Sequence, residues 1–218
     1  MDHRKKNIIE LTRCSEEGYR QLAKRPLRVL ADNVRSMHNI GAIFRTSDAF
    51  LVEEVILGGI SGCPPHPEIE KTALGAERTV AWRHVDDACE EAARLQREGW
   101  KVCVLEQAFG SVDLSCVRSG EGERWLLVVG NEVKGVDQRI VDLADVVAEI
   151  AQYGTKHSLN VSVSAGIALW QRPREGWGGA ADTSSPGSVA GGPIAVCDGS
   201  AVGEPGEPEA VALVCKPV

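Results

Sequence analysis

From Leu27 onward, short apolar runs alternate with amphipathic stretches, the pattern of a repeated β-α-β chain. RVLAD at 28–32 reads as a strand, residues 39–50 as a helix, and EVILGG at 54–59 as the next strand. IEKTALGAE at 69–77 reads as a short helix and VAWRHV at 80–85 as another strand. Residues 86–98 have Asp at the front, apolar positions at 88, 92 and 95, and a Gly just beyond, which predicts a surface helix. WKVCVLE at 100–106 is the following strand. WLLVVGNE at 125–132 is a continuous apolar run ending in Gly-Asn-Glu, the mark of a parallel strand buried on both faces with polar groups at its carboxyl end. In α/β folds that end is where ligands bind. A helix at 135–145, a strand VVAEI at 146–150, the loop AQYGTKH and a helix SLNVSVSAGIALWQR, with Ser158 as its cap, complete the pattern. The expected fold class is α/β, a mostly parallel sheet flanked by helices.

Two flanking segments break this rhythm. Residues 1–26 place Ile8, Ile9, Leu11, Tyr19 and Leu22 among charges at loosely helical spacing, which predicts a basic helical arm of one or two short helices ahead of Pro26. Residues 175–218 turn to Gly, Ala, Ser and Pro, a composition that buries too little apolar area to order itself, so this tail is expected to be disordered. The folded domain is therefore expected at 27–174. No internal repeat is visible.

Composition narrows the class further. No apolar run approaches the roughly 20 residues of a membrane span, and MDHRKKNIIELTR has no signal-like apolar stretch. The seven cysteines are odd in number, scattered and free of CxxC, which points to reduced thiols and a cytoplasmic location. Cys63 and His66 have a zinc-like spacing without a second pair, so no metal site is expected. The net charge of -7 has the wrong sign for a simple nucleic-acid binder. Its distribution changes the picture, because residues 1–35 hold nine Lys/Arg against five Asp/Glu while 36–171 hold 12 against 20. Such a surplus suits either an RNA-contacting arm or a merely solvated helix.

Three polar segments interrupt apolar elements. In NVRSMHNIGAIFRTSDAF at 33–50, Asn33, Asn39 and Arg45 stand six residues apart, and Gly41 and Ala42 would let a backbone or a flat ligand approach closely. Arg45 itself could simply pair with Asp48 at i+3. GNEVKGVDQ at 130–138 is a Gly-bounded polar turn after the most apolar strand, and could be a plain β-α turn. HSLNVSVSAGI at 157–167 puts hydroxyls and an amide into an apolar helix, where small residues could also serve tight packing. The GxGxxG loop of dinucleotide-binding folds is absent.

In this order the three segments resemble the three motifs of the SpoU family of α/β-knot (SPOUT) RNA ribose 2′-O-methyltransferases. NIGAIFRTSDAF is similar to the first motif, LLVVGNEVKGVDQRIVDLAD to the second and SLNVSVSAGIALW to the third, with KTALGAE as further family-like sequence. The resemblance spans 27–171 and implies a C-terminal trefoil knot, an S-adenosylmethionine pocket inside it, and a homodimer. Carried onto this chain, the pocket comprises Leu105, Glu106, Gly130, Asn131, Glu132, Gly135, Ile150, Ser158, Leu159 and Asn160. At 150–152 the chain reads Ile-Ala-Gln where the family has Ile-Pro-Met. The implied catalytic set is Arg45, Asn39, Glu132, Ser158 and Asn160, with Arg45 working beside the neighbouring subunit's cofactor. A ribose hydroxyl must lose its proton to attack a methyl group in line, so Arg45 acts either as base or as a clamp on phosphate and oxyanion. Arg4, Lys5, Lys6, Arg13, Arg20, Arg35, Arg172 and Arg174 are the expected RNA phosphate contacts. The substrate class is tRNA or rRNA. A knot protein that binds RNA without catalysis is the alternative, and it would be expected to have lost Arg45 or Asn160. An ordinary α/β small-molecule enzyme is a third reading.

Overall fold

The computed structural model describes residues 3–7, 11 and 14–171. Its centre is a seven-stranded sheet in which every pairing is parallel. In chain order the strands are β1 (Arg25–Asp32), β2 (Val52–Gly58), β3 (Ala81–Val85), β4 (Trp100–Leu105), β5 (Val112–Asp113), β6 (Arg124–Val129) and β7 (Val146–Glu149). In space they lie β3-β2-β1-β6-β4-β7-β5. The helices are α1 (Glu16–Gln21), α2 (Met37–Ala49), α3 (Pro67–Ala73), α4 (Ala76–Thr79), α5 (Ala88–Arg97), α6 (Gln138–Leu143) and α7 (Val161–Gln171), with a 3₁₀ turn at Leu114–Cys116.

The sheet is covered on both sides, so the middle stretches of its central strands are apolar towards both faces. Val29 and Ala31 of β1 join the core that includes Ile40, Ile43 and Phe44 of α2 and Ala165, Ala168 and Leu169 of α7. Leu30 between them joins the opposite core, with Ala92 and Leu95 of α5 and Ile140 of α6. β6 repeats the alternation, Leu127 and Val129 to one face, Leu126 and Val128 to the other.

Several elements differ from the expected bounds. β1 begins at Arg25 and includes Pro26. The expected helix at 69–77 is two, because Leu74 (φ 52°) and Gly75 (φ 95°) turn left-handed between α3 and α4. The expected helix at 135–145 is only α6, capped by Asp137. The last helix begins at Val161, not at Ser158. Asn160 caps it, its Oδ1 accepting from the amides of Ser162 (2.9 Å) and Val163 (3.4 Å). Of the arm, α1 is helical, and its Tyr19 is buried and donates to the Asp48 carbonyl near the end of α2. The tail expected to be disordered, 175–218, lies outside the described residues.

Candidate active site

Because the strands are parallel, their carboxyl ends share one edge, and there a cleft of about 420 Å³ opens. Its wall is built by residues at the carboxyl ends of β4 (Leu105, Glu106, Gln107), β6 (Val129 to Val133, then Gly135) and β7 (Glu149, Ile150, Gln152), closed by 157–161 and Ser164. All ten residues expected at the cofactor line it: Leu105, Glu106, Gly130, Asn131, Glu132, Gly135, Ile150, Ser158, Leu159 and Asn160. Sequence reasoning missed Gln107, Val129, Val133, Glu149, Gln152, His157, Val161 and Ser164, although Gln107 and Glu149 adjoin residues it named.

The turn after β6 is held by its own chemistry. Asn131 and Gly135 exchange two backbone hydrogen bonds of 3.0 Å, and Asn131 Oδ1 accepts from the amides of Val133 (2.9 Å) and Lys134 (3.0 Å). Gly135 sits at φ 70°, and a Cβ on Gly130 would fall 2.3 Å from the Gly135 carbonyl carbon, so both positions require glycine. Glu106 uses its oxygens on backbone amides, Oε1 on Gln107 (2.9 Å) and Oε2 on Val136 (3.0 Å), and so shapes the wall.

One hydrogen-bonded chain joins the three polar segments. Asn160 Nδ2 donates to Asn39 Oδ1 (3.0 Å), and Asn39 Nδ2 donates to Glu132 Oε1 (3.0 Å). Glu132 also accepts from the amides of Ser36 (3.0 Å) and Arg35 (3.2 Å), at the start of α2. Partial desolvation of this carboxyl works against its charge, but the hydrogen bonds from Ser36, its own amide, Asn39 and Arg35 outweigh that and hold it below the ordinary glutamate range. No acidic residue lies in the first turn of α2, so Glu132 supplies from another segment the negative charge that a helix N-terminus favours.

Arg45 stands apart from this chain. It is exposed, does not line the cleft, and its side chain makes no hydrogen bond or ion pair among the described residues. The possible pair with Asp48 does not form, and Asp48 Oδ1 instead accepts from Thr79 Oγ1 (2.6 Å). Six residues along α2 carry Arg45 about 9 Å beyond Asn39, toward the end where α1 packs. The close approach allowed by Gly41 is made by backbone, since a Cβ there would lie 2.4 Å from the Ile69 carbonyl oxygen of α3.

Of the expected RNA contacts, Arg4, Lys5, Lys6, Arg20 and Arg35 are exposed. Arg20 donates to the Arg78 carbonyl (3.2 Å). Arg13, Arg172 and Arg174 lie outside the described residues. Ser158 is exposed at the cleft with no hydrogen-bond partner among the described residues. Among those residues no helix is long and apolar enough to cross a membrane, and no group of three or more His, Cys, Asp or Glu is placed to hold a metal ion. His66 instead caps α3, its Nδ1 accepting from the Glu68 amide (3.2 Å).

The model of the SpoU rRNA Methylase family matches residues 26–170. The chain belongs to that family. Among SpoU relatives, a 23S rRNA (guanosine-2′-O-)-methyltransferase of Neisseria meningitidis is 30% identical over 170 residues, 78% of this chain and 65% of the relative. A tRNA (guanosine(18)-2′-O)-methyltransferase of Aquifex aeolicus is 32% identical over 158 residues, 70% of this chain and 71% of the relative. The chain therefore spans less than two thirds of the Neisseria protein's length. The solved A. aeolicus TrmH/SpoU tRNA modifying enzyme superposes with a TM-score of 0.63 at 32% identity, covering 70% of this chain and 76% of that one. An AdoMet-bound rRNA methyltransferase of Sinorhizobium meliloti gives 0.63 at 29% identity, covering 73% and 60%. Within the family fold, the motif-bearing segments are those that the Asn160–Asn39–Glu132 chain brings together.

Proposed function

We propose that this SpoU chain is an S-adenosylmethionine-dependent methyltransferase that modifies a ribose 2′-hydroxyl of tRNA or rRNA, as a homodimer. The observation that carries the reading is the hydrogen-bonded chain from Asn160 through Asn39 to Glu132, which ties a strand-edge cleft to the helix of Arg45. The cleft's residues suit the cofactor: Leu105, Val129, Ile150, Leu159 and Val161 offer apolar walls for an adenine, and Glu132 and Glu149 offer negative charge to a cationic ligand. S-adenosylmethionine, when bound, supplies a transferable methyl group on a positively charged sulfur.

The chain's own residues do the rest by positioning and charge. Glu132 and Asn39 fix the start of α2 against the cleft, and Asn160 fixes the loop before α7, so the cleft's three sides keep one geometry. Ser158, with its hydroxyl uncommitted, orients the substrate at the cleft mouth. Arg45 holds negative charge on RNA, on a phosphate or on the ribose oxygen as its proton leaves. Its place outside its own cleft, near α1, favours service to the cleft of a second subunit. Arg45 and the arm then grip one RNA together, with Arg4, Lys5, Lys6, Arg20 and Arg35 neutralising phosphates. The domain at 27–174 carries the chemistry and residues 1–26 form the RNA-gripping arm. A trefoil knot formed by the segment after β7 completes the picture, supported by the return of β6 to the sheet centre and the position of β7 beyond β4.

The test is transfer of radiolabelled methyl groups from S-adenosylmethionine to separated tRNA and rRNA, followed by nuclease digestion. Recovery of a 2′-O-methylated nucleoside is expected. A base-methylated product, or no cofactor binding at millimolar concentration, would sink the proposal.

A further inference from the structure

The turn after β6 forms one wall of the cleft, and its anchoring lies partly outside it. Asp32, the last residue of β1, is 1% exposed and does not line the cleft. Its Oδ2 accepts the backbone amide of Asp137 (2.8 Å), where the turn ends, and its Oδ1 accepts Asn33 Nδ2 (2.7 Å). Asn33, left-handed at φ 56°, accepts Asn131 Nδ2 on its carbonyl (2.7 Å), where the turn begins, and its Oδ1 accepts the Ile60 amide (3.1 Å). The Asp32–Asn33 pair thus brackets the turn at both ends. The same backbone runs on through Arg35 and Ser36, whose amides are held by Glu132 from within the turn.

We infer that Asp32 is a positioning residue for cofactor binding, a buried carboxylate that holds the 131–137 turn in its ligand-accepting shape through the Asp137 amide and Asn33. This rests on the reading of the cleft as an S-adenosylmethionine site. A buried carboxylate is an expensive anchor, and here burial pushes the Asp32 carboxyl up while the hydrogen bonds from Asp137 and Asn33 oppose it. An apolar residue at a strand end would cost less, so the acid stands where its oxygens are used. Its neighbours support the same role: Glu106 accepts the amide of Val136, and together the acids at the ends of β1 and β4 pin consecutive residues of one turn.

The test is Asp32→Asn in the full chain, titrated with S-adenosylmethionine by calorimetry. An amide in that place keeps one acceptor and sets a donor against a donor. The dissociation constant should rise about 10-fold or more, equivalent to about 1.4 kcal/mol, at undiminished site occupancy. RNA affinity, carried by other residues, should stay within about twofold. A merely structural role would instead lower the melting temperature and the fraction of competent sites while leaving the constant unchanged, and that result overturns the inference. Should Asp32→Asn fail to fold, the bond is read from its donor. Asp137→Pro removes the amide hydrogen at a backbone φ of -54°, which proline adopts, whereas Asp137→Ala keeps it and loses only the side-chain cap. Proline but not alanine should weaken cofactor binding, and equal constants for the two overturn the inference. No binding by the wild type would sink the cleft reading and this inference together, whereas binding that the substitutions leave unchanged sinks this inference alone.

Discussion

Glu132→Gln tests the link between the cleft and α2 with the smallest possible change of shape. The carboxylate accepts from Ser36 and Asn39 on one oxygen and from Arg35 on the other. A glutamine has one acceptor, so its best rotamer serves Ser36 and Asn39 and turns an NH₂ toward the Arg35 amide. A hydrogen bond to a charged group contributes about 1.5–3 kcal/mol when desolvated. Glu132 lies exposed at the cleft's lip, so water replaces part of the loss and screening reduces the charge effect at the helix start. The net cost is about 1–2 kcal/mol, a fall in melting temperature of roughly 2–8 °C for a chain of this length. Since the Glu132 carboxyl titrates below its ordinary value of 4.5, its stabilisation is complete above that pH and is lost as pH falls through the lower folded-state value. The gap between wild type and variant should therefore be constant from neutrality to about pH 5 and close in stronger acid. Methyl transfer should fall further than stability, because an uncharged acceptor without the Arg35 bond holds the start of α2, and with it Asn39 and Asn160, less firmly against the cleft. Melts across pH, paired with single-turnover rates, check both parts. A melting temperature within about 1 °C of wild type at neutral pH, with an unchanged rate, would refute the coupling.

Arg45→Ala removes a side chain without partners among the described residues, so stability should change by less than about 0.5 kcal/mol while methyl transfer falls roughly 100-fold or more at unchanged cofactor affinity. Co-expressed heterodimers of Arg45→Ala with Asn160→Ala should regain activity through one site holding both intact residues, and dead heterodimers would place the whole site in one subunit. Deleting residues 2–14, which spares the buried Tyr19, should weaken RNA binding and reduce the salt slope by about 0.9 for each phosphate that is no longer neutralised, with cofactor binding untouched. Gly41→Ala would set a Cβ 2.0 Å from Thr72 Oγ1 and 2.4 Å from a backbone oxygen, so chemical denaturation should show a loss of about 1–3 kcal/mol.

Much of this molecule is legible in its sequence because the parallel sheet is buried on both faces. The apolar runs VCVL of β4 and WLLVV of β6 mark themselves, and Gly130-Asn131-Glu132 marks the end of one. Part of the cleft's wall is legible by resemblance, since Leu105, Glu106 and Gly130 to Glu132 stand at or directly after the ends of those strands. The features that escaped reading depend on partners remote in sequence. Asp32 looks like the polar end of a strand until Asp137, 105 residues later, is placed against it. Asn160 looks like an ordinary third residue of a helix begun by Ser158, but it is the cap, its Oδ1 on the Ser162 amide while its Nδ2 donates to the distant Asn39. β5, a two-residue edge strand, is too short to show any period.

The order of strands in space also bears on how the protein can be made. β6 lies at the centre of the sheet, yet β1 pairs with it across nearly 100 residues, Leu27 beside Trp125. Until β6 leaves the ribosome, β1 to β3 form one half-sheet and β4 is a strand without either of its final neighbours, because β7 is later still. At roughly 5–20 residues per second, the nascent chain carries an open apolar edge on β1 for several seconds. Closing so long a loop also slows the pairing that ends the exposure. Folding of this domain is therefore committed by the arrival of residues 124–149, which include both the strand that fills the gap and the turn that frames the cleft.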